Sequence, residues 1–179
     1  LPCSAMRAAV VAGLVALALG GIAQGASGAP KAGCPAAWAK GWQALANKVD
    51  LDGVNAMTMD FGTSLPAGTS LLAGSEPALT ATQRQLGILY KQVKVTLSQS
   101  TLWSKIGATP MIGQNDTHGE IFTLADASKL NAFASSKGIG RISMWSLNRD
   151  LTCGSNYTTL TIVSDSCSGV VQNGAHFST

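Results

Sequence analysis

Three short apolar runs along the chain have the length and composition of buried β-strands. They are residues 54–60 (VNAMTMD), 108–113 (ATPMIG) and 141–147 (RISMWSL), and each is too short for a stable helix. Because the runs are close to continuously apolar, they predict strands that are buried on both faces, as in a parallel sheet.

Amphipathic stretches between these runs predict helices. Residues 36–48 carry apolar side chains at helical spacing, and a Gly/Ser/Pro-rich loop is expected at 62–77. Thr80 and Gln83 have the spacing of a capping box, which predicts that the next helix opens there. The apolar positions of this helix recur at i, i+3, i+4 and i+7, at Leu86, Leu89, Tyr90 and Val93.

A helical turn is expected at 102–106, before the second run, and a longer helix before the third. Thr123 and Asp126 form a second capping-box pattern, and Gly138 is expected to end that helix as its C-terminal cap. The order strand, helix, strand, helix, strand predicts a parallel α/β sheet with right-handed crossovers. Three strands make only a small open sheet, so the pattern indicates part of a larger architecture.

The N-terminal region has the layout of a secretory signal peptide. One arginine follows the first methionine, residues 8–19 (AAVVAGLVALAL) form an apolar core, and small residues allow cleavage after Gly25 or Ala29. A membrane anchor is the alternative, but it needs about 20 strongly apolar residues and this run is shorter. We therefore expect residues 1–29 to be signal peptide and upstream read-through, and residues 30–179 to be the exported domain.

Composition narrows the class of partner. Only 12% of the 179 residues are charged, against roughly a quarter in ordinary soluble domains. The net charge is +3, and the charged residues are scattered along the chain. No run of Lys and Arg alternates with aromatic residues, so we expect no nucleic-acid surface and no recruitment to membranes by charge. His118 and His176 lack metal-ligand spacing with the cysteines, and no phosphate-binding Gly-rich loop is present, so we expect no metal or cofactor.

Four cysteines suit the oxidising compartment that a signal peptide implies. Cys153 and Cys167, fourteen residues apart in a Ser/Thr/Gly-rich tail, are the expected disulfide. Closing a loop of that size contributes about 3 kcal/mol to stability. Cys3 would be removed with the signal peptide, which leaves Cys34 either as a free thiol or with a partner outside this sequence.

Polar and aromatic residues lie at the end of each predicted strand. Asp60 ends the first strand, Gln114 and Asn115 follow the second, and Trp145 lies in the third, ahead of Asn148. Because the carboxyl ends of parallel strands meet at one edge, these residues predict a polar pocket with an aromatic floor, which suits a sugar ring. Taken singly, each of them also fits a simpler interpretation as a core or loop-capping residue.

Together, three segments resemble strands six, seven and eight of bacterial-type chitinases in glycoside hydrolase family 18. They are VNAMTMDFG (54–62), ATPMIGQND (108–116) and GIGRISMWSLNRD (138–150), of which the last is the most specific. The stretch FTLADASKLNAFASSKG (122–138) and the cysteine-bearing tail are similar as well. The resemblance extends from about Ala36 to the C terminus.

This resemblance implies a (β/α)8 barrel that cleaves β-1,4 bonds between N-acetylglucosamine units, with the substrate's own acetamido oxygen as the nucleophile. Met57 and Asp60 match the methionine and aspartate that line the −1 sugar subsite and orient the acetamido group. Trp145 matches the tryptophan beneath that sugar. Gln114 and Asn115 lie where strand seven supplies polar contacts, which is a weaker match.

The sequence departs from the family in two respects. Many members have a tyrosine before the strand-six aspartate, where this chain has Met59. The D-x-x-D-x-D-x-E motif, whose Glu is the catalytic acid, is absent: the two glutamates are Glu76 and Glu120, and Gly74 and His118 stand two residues before them. Segments matching strands one to five are absent too, so we expect no catalytic acid in this chain.

We therefore expect an α/β fold that is the C-terminal portion of a (β/α)8 TIM barrel, with three parallel β-α units preceded by a signal-peptide helix. Residues 30–179 are then a partial family 18-like catalytic domain that is secreted and acts on β-1,4-linked N-acetylglucosamine polymers. Its expected partners are chitin or N-acetylglucosamine oligosaccharides, without stable membrane association once the signal is cleaved. The alternatives are a non-catalytic, lectin-like carbohydrate-binding remnant and a secreted domain of unrelated function.

Overall fold

The computed structural model describes residues 15–16, 36–155 and 163–179. Within them the strands are short and the helices carry most of the regular structure. In chain order the elements are β1 (Val15–Ala16), α1 (Ala36–Ala46), β2 (Val54–Met57), α2 (Leu71–Gln92), α3 (Gln99–Ser104), β3 (Ile106–Thr109), β4 (Gly113–Gln114), β5 (Ile121–Phe122), α4 (Leu124–Lys137) and β6 (Arg141–Ile142).

A sheet with the strand order β1-β2-β3-β6 forms the centre of the fold. β2 and β3 are parallel, with Val54 opposite Ile106, and β3 and β6 are parallel, with Gly107 opposite Arg141. This confirms the parallel α/β arrangement expected from the alternation of strands and helices. β1, which lies inside the expected signal-peptide core, pairs with β2 in the antiparallel direction, and the sequence pattern did not predict that strand.

Helix α2 begins at Leu71, so the expected capping box at Thr80 is wrong. Ser70 is the N-cap and accepts a hydrogen bond from a first-turn N–H at 3.1 Å, whereas the Thr80 hydroxyl donates to the Glu76 carbonyl one turn back. Pro77 lies inside the helix, where a proline normally costs about 3 kcal/mol. A stripe of buried residues runs along the helix on both sides of Pro77. The packing of this stripe, rather than local propensity, determines where the helix begins. The stripe contains Leu71, Ser75, Ala78, Leu79, Thr82, Leu86 and Leu89.

The core lies between the sheet and the helices on one of its faces. Alternation along β2 places Val54 and Ala56 on this face, where both are buried. They belong to one apolar cluster with Leu79 and Leu86 of α2 and Leu130 of α4. Full burial of each larger side chain contributes about 1.5–3 kcal/mol, so this face anchors the strands whose ends form the candidate site.

Helix α4 begins and ends where its sequence predicts. The Thr123 hydroxyl accepts from the Asp126 N–H at 3.1 Å, and the Asp126 carboxylate accepts from the Thr123 N–H at 3.0 Å, which is a capping box. Gly138 has a φ of 71°, the left-handed C-cap that glycine adopts without steric cost. The Ser70 hydroxyl also donates to Asp126 at 2.7 Å, so the starts of α2 and α4 are joined.

The second and third strands differ from their predicted limits. β3 begins two residues before the predicted 108–113 strand, and it ends before Pro110, which has no N–H for the sheet. The next residues turn away into the antiparallel β4–β5 hairpin, which the sequence did not predict. β6 covers only the start of the predicted 141–147 strand, although Trp145 still forms an isolated parallel bridge with Met111.

A disulfide and a buried arginine hold the tail that follows β6. Cys153 and Cys167, the pair that the sequence favoured, are joined with their Cα atoms 5.0 Å apart. The Arg149 side chain donates to the Gln114 carbonyl at 2.6 Å and to the Cys167 carbonyl at 3.4 Å. The tail is therefore fixed to the segment that follows β3.

Most of the expected signal peptide, its two cleavage positions, Cys3 and Cys34 lie outside the described residues. Across residues 15–16, 36–155 and 163–179, no helix is both long enough and apolar enough to span a bilayer.

Candidate functional site

The ends of the three parallel strands meet at one edge of the sheet. Met57 ends β2 opposite Thr109, which ends β3. Beyond β6, the Trp145 N–H donates to the Pro110 carbonyl at 2.8 Å, and the Ile112 N–H donates to the Trp145 carbonyl at 2.9 Å. The segments expected to carry the site are therefore neighbours in space.

Met57 lies on the sheet face that points away from the core. Alternation along β2 leaves Asn55 and Met57 half-buried on this face. The Asn55 amide donates a short hydrogen bond to the Thr109 hydroxyl across the two strands. A thioether beside hydrogen-bonding groups offers both apolar and polar contacts to a ligand.

Asp60 lies in a turn that its neighbours hold in the left-handed region. Its φ is 49°, a conformation that costs a non-glycine residue about 1–2 kcal/mol. Its N–H donates to Asn115 Oδ1 at 3.2 Å, and its own Oδ1 accepts from the Thr117 N–H at 2.8 Å. Backbone strain of this kind concentrates at functional sites, and Asp60 is half-buried.

Glu120 holds the same turn from the β4–β5 hairpin, a role that sequence analysis did not reveal. Its Oε2 accepts from the Phe61 N–H at 2.9 Å, and its Oε1 accepts from the Gly62 N–H at 2.6 Å. The contact joins residues 59 positions apart, so no local motif marks it. Because both carboxylate oxygens are occupied by backbone donors, Glu120 is not free to protonate a leaving group.

Gln114 and Asn115, which were expected to contact the ligand, are 7% and 1% exposed. The Asn115 amide is used within the fold: Nδ2 donates to the Met111 and Gly113 carbonyls at 2.9 and 3.1 Å, and Oδ1 accepts from the Asp60 N–H. In this structure Asn115 acts on the site through Asp60. A direct contact between either amide and a ligand stays a prediction.

Trp145 is 55% exposed, so much of its indole is accessible to a ligand. Arg141 and Asn55 share a sheet face, because a Cβ atom at Gly107 would approach both of their side chains. Alternation from Arg141 places Trp145 on that face as well. The peptide bond between Trp145 and Ser146 is cis. The exposed indole offers a flat surface to the C–H face of a sugar.

A buried cation lies close to the strand ends. Arg149 has no exposed surface, and burial lowers the pKa of its guanidinium, while the carboxylates of Asp116, Asp165 and Asp60 act to raise that pKa. Its Nη1 has no hydrogen-bond partner among the described residues. The guanidinium therefore adds positive potential to the region around Asp60.

Glu76 and Asp52 lie away from these strand ends, whereas the Asp116 and Asp165 carboxylates, both on exposed residues, lie near enough to act on Arg149 together with Asp60. Glu76 lies in α2 beside a groove of about 450 Å³ that α4 also lines. Asp52 pairs with Arg141 at 2.5 Å, before the start of β2 and so at the opposite end of the strand. Within residues 36–155 and 163–179 there is also no group of three or more His, Cys, Asp or Glu side chains placed to hold a metal ion.

Two of the cavities among the described residues lie near these elements, and the linings of both lack Met57, Asp60 and Trp145. A cavity of about 550 Å³ opens between residues 62–69 and the hairpin turn 117–120. A slightly larger cavity, of about 590 Å³, lies between α4, β6 and the C-terminal residues. Its lining includes neither Met57 nor Trp145, so its size does not make it the site.

Sequence comparison finds chitinases. No protein-family model matches the sequence. The chain is 34% identical over 116 residues, 63% of its length, to a probable bifunctional chitinase/lysozyme of Escherichia coli (strain K12). It is also 34% identical over 122 residues, 64% of its length, to endochitinase 11 of Metarhizium anisopliae.

Structural comparison finds the same kind of protein. The fold matches the catalytic domain of a hyperthermophilic chitinase from Pyrococcus furiosus with a TM-score of 0.66 and 28% identity over 81% of this chain. Catalytic-site mutants of active domain 2 of the Pyrococcus furiosus chitinase in complex with chito-oligosaccharides match equally well, with a TM-score of 0.66.

The match covers only part of each relative. The chain spans 13% and 23% of the length of the two curated relatives and 43% of the solved catalytic domain. Agreement in sequence and in fold, found in separate comparisons, supports the resemblance that the strand segments carry. The chain is therefore chitinase-like, similar in sequence and in fold to part of a chitinase catalytic domain.

Proposed function

We propose that this chain forms one side of the sugar-binding site of a chitinase-like (β/α)8 barrel, in which β2, β3 and β6 take the places of strands six, seven and eight. The parallel pairing of these strands and the likeness to a chitinase catalytic domain support this assignment. Met57, Asp60 and Trp145 would line the −1 subsite for N-acetylglucosamine. Gln114 and Asn115 would contribute from strand seven.

The exposed indole of Trp145 is the observation that carries the proposal. An indole combines a flat apolar face with a polar N–H, so it can contact both the C–H groups and the hydroxyls of a sugar. A sugar ring would stack its C–H face on the indole. Within the described part of the chain, the hydrogen bonds of Asp60 engage its Oδ1 and its N–H, which leaves Oδ2 to accept from the acetamido N–H.

Titration calorimetry of the whole chain with the tetramer of N-acetylglucosamine tests this proposal. Trp145→Ala should weaken binding by about thirtyfold or more, since an anchoring aromatic side chain contributes about 2 kcal/mol or more. Leu147→Ala is the matched control, because Leu147 is also apolar, exposed and close in sequence. Equal affinities for the two variants would contradict the proposal.

We also propose that the chain on its own binds the oligosaccharide without hydrolysing it. A positioned general acid contributes about 10²–10⁴-fold to the rate. Both oxygens of Glu120 accept from backbone N–H groups, and Glu76 lies in α2 beside the groove shared with α4. The hydrogen bonds that occupy the Glu120 carboxylate also favour a second candidate function, that of a carbohydrate-binding protein without catalysis.

The gene sequence upstream separates these two candidates. A continuous reading frame with a D-x-x-D-x-D-x-E motif joined to residue 36 would identify a chitinase that carries its acid on strand four. A longer frame without that motif would favour the carbohydrate-binding protein.

Export is the remaining part of the proposal. The signal-like sequence of residues 8–19 and the disulfide between Cys153 and Cys167 both suit a secreted protein. N-terminal sequencing of exported material should find a chain that starts after Gly25 or Ala29. A chain that keeps residues 8–19 and remains in the membrane would contradict secretion.

A further inference from the structure

The turn that presents Asp60 is held by the neighbouring hairpin rather than by its own strand. Three hairpin residues form what we call the strand-six clamp: Asn115, Thr117 and Glu120. Asn115 Oδ1 accepts the Asp60 N–H, the Thr117 N–H donates to Asp60 Oδ1, and Glu120 accepts the next two N–H groups along the turn. The clamp therefore fixes both the backbone and the carboxylate of Asp60.

We propose that Glu120 is a positioning residue, which holds the Asp60 carboxylate in the orientation that receives the acetamido group of the sugar. This inference rests on the proposed function and adds a residue that the resemblance does not assign. Glu120 does not touch the ligand in this account. It acts by keeping the strained turn closed.

The geometry explains why a glutamate is needed at this position. Its two oxygens serve two successive N–H groups, those of Phe61 at 2.9 Å and Gly62 at 2.6 Å. A glutamine would offer one acceptor and turn an N–H₂ group towards the other donor. An aspartate keeps both acceptors but is one methylene shorter. Glu120 is 9% exposed, so water is poorly placed to replace a lost contact.

The hairpin brings the clamp residues together. Asn115 and Glu120 flank the turn of the β4–β5 hairpin, and the Asn115 N–H donates to the Glu120 carbonyl at 3.0 Å. Their side chains both reach the Asp60 turn, so the hairpin and the turn form one hydrogen-bonded unit.

Asp126 provides a matched control for Glu120. It is also a buried carboxylate that accepts hydrogen bonds from backbone and hydroxyl groups, and through Ser70 it holds the far end of the same loop. It has no hydrogen bond to Asp60 or to the two residues that follow it. Replacing Asp126 loosens the loop without opening the clamp.

The decisive experiment compares Glu120→Gln and Asp126→Asn in the whole chain. Affinity for the N-acetylglucosamine tetramer should fall by about tenfold in Glu120→Gln, as expected for losing a hydrogen bond to a charged group, and by less than about twofold in Asp126→Asn. In the Asp60→Asn background, the added Glu120→Gln change should have little further effect, because Glu120 acts through Asp60. Additive losses, or equal losses in the two single variants, would overturn the proposal.

Amide spectroscopy separates failure of this inference from failure of the proposed function. Hydrogen exchange of the Phe61 and Gly62 amides should accelerate in Glu120→Gln and not in Asp126→Asn, and the Thr117 amide signal should shift in the former alone. If the unmodified chain binds no sugar but these amides respond, the function is wrong and the clamp is right. If the amides do not respond, the clamp is wrong. If Glu120→Gln does not fold, Glu120→Asp replaces it in this experiment. Hydrogen exchange of the Phe61 and Gly62 amides should accelerate in that variant as well.

Discussion

Asp150 is a buried carboxylate that holds the end of the chain against the tail after β6. Its Oδ1 accepts from the Phe177 N–H at 2.7 Å and from Gln172 Nε2 at 3.0 Å, and its Oδ2 accepts from the Ser178 N–H at 3.0 Å and hydroxyl at 2.7 Å. Burial acts to raise the pKa of Asp150, but the hydrogen bonds from Phe177, Ser178 and Gln172 outweigh it, so the pKa lies below its ordinary value.

The direction of that pKa shift predicts how stability depends on pH. A carboxyl group with a lowered folded-state pKa contributes stability above its unfolded value, about pH 3.9, and that contribution is lost as the pH falls through the folded value. Asp150→Asn should lower the free energy of unfolding at neutral pH by about 1–3 kcal/mol and flatten the pH dependence below about pH 4. Urea unfolding at a series of pH values measures both effects.

Asp52→Asn is the control for Asp150, because the Asp52 side chain is 89% exposed and its partner Arg141 is half exposed. Exposed ion pairs contribute little to stability, so this variant should keep the wild-type pH profile. An Asp150→Asn profile parallel to that of the unmodified chain would show that the hydrogen bonds to Asp150 do not stabilise the fold.

Single residues also show what the sequence could reveal about the site. The positions of Asp60 and Trp145 near neighbouring strand ends were predictable, because the carboxyl ends of parallel strands meet at one edge; their contact with a sugar stays a prediction. The role of Glu120 was not predictable, because its partners are backbone N–H groups of a turn distant in sequence. Asn115 was assigned to the right region, but its hydrogen bonds within the fold became visible only with the structure.

At the scale of elements, the β4–β5 hairpin lies between the tail and the Asp60 turn. Gly113 begins β4 with a φ of 72°, and a Cβ atom there would lie 1.9 Å from the Ser168 carbonyl oxygen. Because that oxygen belongs to the backbone, a side chain at this position must displace the tail. Gly119, in the hairpin turn, has a φ of 86°, but a Cβ atom there would meet nothing within 4 Å.

These two glycines make a matched pair that separates backbone strain from steric contact. Gly119→Ala should lower the free energy of unfolding by about 1–2 kcal/mol, the cost of a left-handed conformation. Gly113→Ala has the same backbone strain and should lower the free energy of unfolding by about 1–3 kcal/mol more, because the added methyl group overpacks against the tail. Thermal or denaturant unfolding of both variants measures the difference. Equal destabilisation of the two variants would mean that the backbone at Ser168 moves aside at little energetic cost.

Elements with local signals were predicted well, and those shaped by distant packing were not. α4 has a capping box at its start and a left-handed glycine at its end, and both signals lie within the helix's own sequence. α2 was predicted to start too late, because its first turns are fixed by Leu71 packing in the core and not by local propensity around Pro77. The β4–β5 hairpin has strands of two residues each, which are too short to give a periodic pattern.

At the scale of the whole molecule, the parallel sheet has an exposed edge at β6. β6 ends the strand order, both of its residues are exposed, and Leu147 and Leu151 nearby are exposed apolar side chains. An uncovered strand with apolar neighbours is a template for unwanted pairing. In the proposed barrel this edge would pair with strand one.

The central claim is that these strand ends bind an N-acetylglucosamine oligomer in a chain without a catalytic acid. Titrating the isotope-labelled chain with the tetramer, followed by NMR, tests it most directly, because one sample reports both the contact site and the state of the sugar. The account predicts that the Trp145 indole N–H and the amides of residues 58–62 shift while the tetramer remains intact. Shifts confined to the cavity beside α4 and the C terminus, or release of shorter sugars that Trp145→Ala reduces, would contradict it.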